Sequence, residues 1–104
     1  MSGLPQNLDA ERYVLASVMR EDGLYAQVAA VLTAEDFLLD KHQRIFRAMA
    51  PIRDRGELID RITVYEQLTN RGEAESCGGF SYLVDLDTGM PDNPHVESYA
   101  RSVK

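Results

Sequence analysis

Apolar residues recur at intervals of three and four along most of the chain, and Gly or Pro residues divide this pattern into short segments. Such spacing places apolar side chains on one face of an α-helix, whereas a half-buried strand requires alternation. No long stretch alternates, and the pairs Asp22-Gly23 and Gly78-Gly79 do not separate strand-like runs. The sequence therefore predicts an all-α fold, a compact globular bundle of about six helices.

The starts of these helices are predicted from residues that can cap a first turn or that begin an apolar stripe. In chain order, helices are expected to start at Asp9, Leu24, Asp40, Asp60, Phe80 and Asn93. Pro94 follows Asn93 at a position that suits the first turn of a helix. Pro51 falls inside the third pattern, where we expect a kink or an interruption because proline lacks the backbone donor.

Two turn-forming residues near the N-terminus, Gly3 and Pro5, predict an extended arm over residues 1–8. The helical patterns begin after it and predict a globular helical head over residues 9–92. An apolar fraction of 44% is sufficient for a compact core in this head.

The composition excludes several classes of protein. No apolar run approaches the roughly 20 residues that span a bilayer, so no membrane segment is predicted. The N-terminal residues lack the basic and apolar regions of a secretory signal. The single cysteine, Cys77, can form no internal disulfide, so the cytoplasm is the expected location.

The charges are unevenly distributed over a chain with a net charge of −6. Residues 1–40 hold seven acidic and two basic residues, whereas residues 41–61 hold six basic and three acidic residues. A dipolar surface of this kind can orient a partner, although ordinary solvated helix faces are the simpler explanation. The negative total disfavours direct binding of DNA, which needs clustered Lys and Arg.

No arrangement of residues predicts catalysis. The phosphate-binding patterns GxxxxGKS and GxxxxGKT are absent, so the chain alone is not expected to hydrolyse ATP. His42 and His95 lie on different predicted helices and are too few for a metal site. Cys77 has no histidine near it in sequence and is interpreted as a structural thiol. We therefore predict no catalytic, cofactor-binding or metal-binding residue.

Several short segments, taken in order, carry a resemblance to a known family. They are residues 4–11 (LPQNLDAE), 35–37 (EDF), 42–49 (HQRIFRAM), 56–64 (GELIDRITV), 68–75 (LTNRGEAE), 78–83 (GGFSYL) and 99–103 (YARSV). In this succession and spacing they resemble the N-terminal domain of replicative DNA helicases of the DnaB family. The resemblance covers nearly the whole chain. Pro51, Arg61 and residues 92–94 depart from the family's usual pattern.

The resemblance implies a role in DNA replication. Proteins of this family are hexameric rings that unwind DNA with ATP and Mg²⁺, which act in a separate C-terminal ATPase motor domain that is absent here. Their N-terminal domains form a collar, a trimer of dimers, on which primase docks, and each carries a helical hairpin. By resemblance, residues 93–104 are the start of the hairpin helix, truncated in this chain. The chain itself is then expected not to be an enzyme.

The apolar face of the last helix is the candidate interface of this collar. Its residues are Val96, Tyr99, Ala100 and Val103. They are expected to pack on another helix, although Tyr99 is better explained as a core residue. The expected partners are a second copy of the chain and primase, with a helicase loader as a further candidate.

Two alternatives to a collar domain stay open from the sequence. One is a stand-alone regulatory or loader-interacting protein that resembles the helicase head and has no ATPase activity. The weaker alternative is a DNA-binding module based on the basic residues 41–61. No direct DNA binding and no membrane contact are expected from the collar interpretation.

Overall fold

The computed structural model describes residues 4–92 and 94–104, with side chains from residue 8 onward. Its six α-helices are α1 (Leu4–Arg20), α2 (Tyr25–Ala29), α3 (Asp40–Asp54), α4 (Arg61–Asn70), α5 (Gly79–Asp85) and α6 (Val96–Val103). Two 3₁₀ turns, Asp22–Leu24 and Ala34–Asp36, flank α2. No strand occurs in the described residues, and the all-α prediction is confirmed.

The core forms around α1, which packs against α6 on one side and α3 on the other. Val14, Leu15 and Val18 of α1 are fully buried because they share the face that these helices cover. α4 packs against α3, and α5 packs against α4. The order of the helices thus brings the two ends of the described chain together, since α1 and α6 lie side by side.

The expected extended arm over residues 1–8 is corrected by the structure, because α1 begins at Leu4. Pro5 is compatible with this start, since the first turn of a helix leaves its N–H groups unpaired and proline has a suitable φ. Asp9 is therefore an internal residue of α1 and not its cap. Residues 1–3 of the predicted arm lie outside the described residues.

The interruption considered at Pro51 is wrong, because α3 runs from Asp40 to Asp54 as one helix with Pro51 inside it. A kink at Pro51, the other expectation, stays a prediction. The missing proline N–H would have bonded to the carbonyl of Arg47, four residues earlier. Arg47 is exposed, so water can reach that side of the helix. The Pro51 carbonyl still accepts a hydrogen bond from Arg55 N–H at 3.1 Å, which continues the ladder.

Three other helix starts differ by one to three residues from those predicted at Leu24, Phe80 and Asn93, since α2 starts at Tyr25, α5 at Gly79 and α6 at Val96. Asp40 is the first residue of α3 and Leu39 occupies the cap position. The helix expected over residues 24–32 is shorter, since α2 ends at Ala29. The last helix starts at Val96 and not at Pro94. The capping role predicted for Asn93 lies outside the described residues.

The predicted cap of α4 is confirmed. The Asp60 carboxylate accepts a hydrogen bond from Thr63 N–H at 2.9 Å. The Thr63 hydroxyl in turn accepts one from Asp60 N–H at 2.9 Å. This reciprocal pair satisfies donors that would otherwise lack partners at the start of the helix.

Replacing Asp60 with Ala should therefore lower the free energy of unfolding by about 1 kcal/mol. The matched control is Asp60→Asn, which keeps a side-chain oxygen at the cap and should cost much less. Urea unfolding followed by circular dichroism measures both values. Equal losses in the two variants would show that the cap does not stabilise α4.

Candidate functional site

A buried polar cluster joins α1, α3 and α5 around the carboxylate of Glu11. Glu11 is buried in the core. It accepts a hydrogen bond from Leu38 N–H at 2.6 Å. It also lies 2.7 Å from Nδ1 of His42. On the other side of the imidazole ring, Nε2 of His42 lies 2.7 Å from the Tyr82 hydroxyl.

Local backbone geometry places each member of this cluster. Glu11 falls on the buried face of α1, one turn before Val14 and Leu15. Gly78 has a φ of +98°, and a Cβ at this position would lie 2.6 Å from Cβ of Tyr82. Only glycine therefore allows the chain to turn into α5 while Tyr82 stays against His42.

The hydrogen bonds define how protons are shared in the cluster. With a proton on Nδ1, neutral His42 donates to the Glu11 carboxylate and accepts from the Tyr82 hydroxyl, so every donor has an acceptor. Burial lowers the pKa of His42, and its hydrogen bond to Glu11 opposes this shift. Burial also raises the pKa of Tyr82, which keeps its hydroxyl protonated. His42 and Tyr82 are thus assigned as neutral in the cluster.

This cluster is closed to substrates. The His42 side chain is 0% exposed and that of Glu11 is 2% exposed, so neither can touch a molecule in solution. The Lys41 ammonium covers the Tyr82 ring at 3.9 Å from its centroid. The role of the buried cluster is structural, because it links three helices through polar groups that would be costly to bury without hydrogen-bond partners.

The four candidate interface residues of α6 lie against the chain's own core. Val96, Ala100 and Val103 are buried, and α6 packs along α1. The Tyr99 ring packs edge to face against Tyr13, with centroids 5.3 Å apart. Most of this apolar face is therefore already covered within the chain, and contact with a further partner stays a prediction.

An apolar groove of about 200 Å³ remains open beside that face, between α2 and α6. Val28, Val31, Val96 and Ala100 contribute its apolar side chains. Val31 is 41% exposed. Glu97 and Arg101 lie at its edge, one helical turn apart, and neither forms an ion pair within the described residues.

A second exposed apolar surface lies on α4 and α5, and we call it the α4–α5 strip. It consists of Ile62, Tyr65, Phe80 and Val84. Ile62 is 61% exposed. The rings of Tyr65 and Phe80 pack edge to face with centroids 5.5 Å apart, so the two helices share one surface. Sequence periodicity could not find this strip, because exposed and buried apolar residues have the same pattern.

The basic residues 41–61 do not form a free cationic surface. Arg44 lies 2.9 Å from Asp40, Arg53 lies 3.4 Å from Asp22, and Arg61 lies 3.0 Å from Asp87. Arg47 and Arg55 are paired with Glu35 and Glu57. These ion pairs offset positive charge in residues 41–61, which weakens the alternative hypothesis that this segment binds DNA phosphates.

The Cys77 thiol and the potential metal ligands are the remaining side chains that could carry chemistry. Cys77 is 1% exposed, and burial raises its pKa, so its thiol stays protonated and out of reach. Within the described residues, no group of three or more His, Cys, Asp or Glu side chains is placed to hold a metal ion. Across the same residues, no helix is both long and apolar enough to cross a membrane.

Comparison with known proteins gives consistent matches over the chain. The family model described as DnaB-like helicase N terminal domain matches residues 3–104. The chain is 37% identical over 96% of its length to "Replicative DNA helicase DnaC" of Bacillus subtilis. It is 39% identical over 96% of its length to "Replicative DNA helicase DnaB" of Geobacillus stearothermophilus. It spans 22% of each of these relatives.

A solved structure shows the same fold. The crystal structure of the N-terminal domain of DnaB helicase from Mycobacterium tuberculosis superposes with a TM-score of 0.86 at 32% identity. The match covers 92% of this chain and 67% of that one.

The buried cluster predicts a pH dependence of stability. The pKa of His42 is lowered in the folded chain, so the unfolded chain takes up this proton first as the pH falls. Stability should therefore decline as the pH drops from about 7.5 through the ordinary histidine pKa of about 6.5. Urea unfolding at several pH values measures this decline, which should be smaller in His42→Gln.

The matched control is His95→Gln, which changes the other histidine of the chain at an exposed position. This variant should keep the full decline of the unmodified chain. A decline of equal size in His42→Gln would show that His42 does not cause it.

Proposed function

Because the chain belongs to the DnaB-like helicase N-terminal domain family, we propose that it is the collar domain of a hexameric replicative DNA helicase. In this role it takes part in ring assembly and in docking primase during DNA replication. The observation that carries the proposal is the match of family, relatives and fold over nearly the whole chain. The exposed apolar surfaces beside α6 and on α4–α5 support a role in protein contacts.

The chain spans about a fifth of the length of the curated relatives that it matches. DNA unwinding is thus proposed for the whole protein, with ATP and Mg²⁺ acting in its motor domain. Residues 93–104 are proposed to begin the hairpin helix, and the cytoplasm is the proposed location. A helicase loader is a further proposed partner.

We place the self-association surface at the α2–α6 groove. Two copies related by a two-fold axis meet through the same surface on each side. With the two α6 helices antiparallel, Glu97 of one copy faces Arg101 of the other, and the reverse pair forms at the same time. Val31 of each copy can then enter the groove of the other, where Ala100 leaves room. Charge and shape are therefore both self-complementary at this groove.

Sedimentation equilibrium over a concentration series tests this proposal. The unmodified chain should change from monomer to dimer as its concentration rises. Glu97→Arg should weaken the dimer by about tenfold or more, because two like-charged pairs replace two opposite ones. Arg101→Glu should do the same, whereas the double variant Glu97→Arg/Arg101→Glu should restore association. The assignment would be contradicted if the chain stayed monomeric at high concentration. It would also be contradicted if the charge variants dimerised as tightly as the unmodified chain.

Primase docking is proposed for the α4–α5 strip, whose large apolar side chains are exposed on two adjoining helices. Binding of primase from the same genome can be measured by isothermal titration calorimetry. Phe80→Ser should weaken it by about tenfold or more if the ring is buried in the contact. The matched control is Leu38→Ser, which removes an apolar side chain that is 59% exposed elsewhere. If the two variants bind primase with equal affinity, the α4–α5 strip is not the surface on which primase docks.

A further inference from the structure

A third surface combines an apolar floor with two arginines, and neither self-association nor primase docking as proposed above uses it. It is an open groove of about 420 Å³ beside the last turns of α3. Tyr25, Phe46, Ala50 and Pro51 supply its apolar side chains. Arg47 and Arg71 lie at its edges. We call it the Pro51 groove.

The floor of the Pro51 groove is fixed by packing beneath it. Phe46 is 6% exposed, and its ring lies 5.2 Å from the Phe37 ring and 5.9 Å from the Tyr25 ring, measured between centroids. Pro51 and Ala50 have no long side chain that could fold over this floor. An apolar side chain from a partner can therefore enter without displacing a group of this chain.

The charged side chains that line the Pro51 groove are two arginines, in a chain whose net charge is −6. No carboxylate lines the groove. Arg71 is exposed at the end of α4 and forms no ion pair within the described residues. Arg47 lies 3.0 Å from Glu35, whose side chain is 73% exposed. Such an exposed pair contributes little stability, so an incoming carboxylate can take the place of Glu35.

We propose that the Pro51 groove binds an acidic peptide segment that carries a large apolar side chain. The apolar side chain would lie on the floor beside Pro51 and Phe46. Carboxylates on either side of it would pair with Arg47 and Arg71, and guanidinium groups bind carboxylates through paired hydrogen bonds. The floor of the groove thus selects for the apolar side chain, and the two arginines select for the carboxylates of the same short segment.

Single-stranded nucleic acid is the competing occupant, since aromatic rings beside arginines can stack on bases. The geometry does not favour it. Phe46 is 6% exposed and therefore too deeply buried to offer a ring face on which a base could stack. An acidic peptide needs only the two arginines and the apolar floor.

Fluorescence anisotropy with a labelled short peptide, one phenylalanine flanked by aspartates, tests the proposal. The unmodified chain should bind it at low salt, and affinity should fall as salt rises. Arg71→Glu should weaken binding about tenfold or more, and Arg71→Gln by less. Ala50→Trp, which fills the groove without changing charge, should also weaken it. A peptide with serine in place of phenylalanine should bind more weakly than the original.

The matched control is Arg20→Glu, which makes the same change of charge at an exposed arginine that does not line the Pro51 groove. It should leave affinity within about twofold, since distant surface charges are screened. The proposal is overturned if the unmodified chain does not bind, or if Arg20→Glu and Arg71→Glu weaken binding equally. It is also overturned if a labelled thymidine oligonucleotide binds more tightly than the peptide. Thermal unfolding of each variant by circular dichroism verifies that it is folded.

Discussion

The Glu11 carboxylate is the group on which the arrangement of the helices depends. A buried charge is tolerated only when hydrogen bonds replace the water it has lost. Here those bonds come from the backbone before α3 and from His42, which is itself bound by Tyr82. Any shift of α1, α3 or α5 relative to the others would leave a polar atom in the core without a partner. The cluster thus specifies one packing among the many that apolar contacts alone would permit.

The sequence predicted the class of fold and the number of helices, because apolar periodicity reports which residues can share a buried face. Helix ends were predicted less well, since they depend on tertiary contacts. Asp60 was identified as a cap from its local pattern, whereas α1 and α6 start at Leu4 and Val96, away from their predicted starts. Pro51 was expected to kink or interrupt α3 because proline lacks the backbone donor, but the helix continues to Asp54.

The buried cluster was missed altogether, and sequence separation explains why. His42 lies 31 positions from Glu11 and 40 positions from Tyr82. One signal was present: Glu11 and His42 each occupy a position in an apolar stripe, with Val14 and Ile45 following three residues later. A polar residue in such a stripe points to a buried partner without identifying it. The candidate interface residues show a different difficulty. Their apolar stripe on α6 was recognised in the sequence, but the stripe does not reveal which helix covers it.

The packing of α6 along α1 has a consequence for the order in which the chain can fold during synthesis. A ribosome delivers α1 first and α6 last among the described helices, yet each covers the apolar face of the other. Until residue 103 has emerged, Val14 and Leu15 lack part of their cover and present an apolar surface to chaperones. Completion of this core therefore waits until α6, the last of the described helices, has left the ribosome.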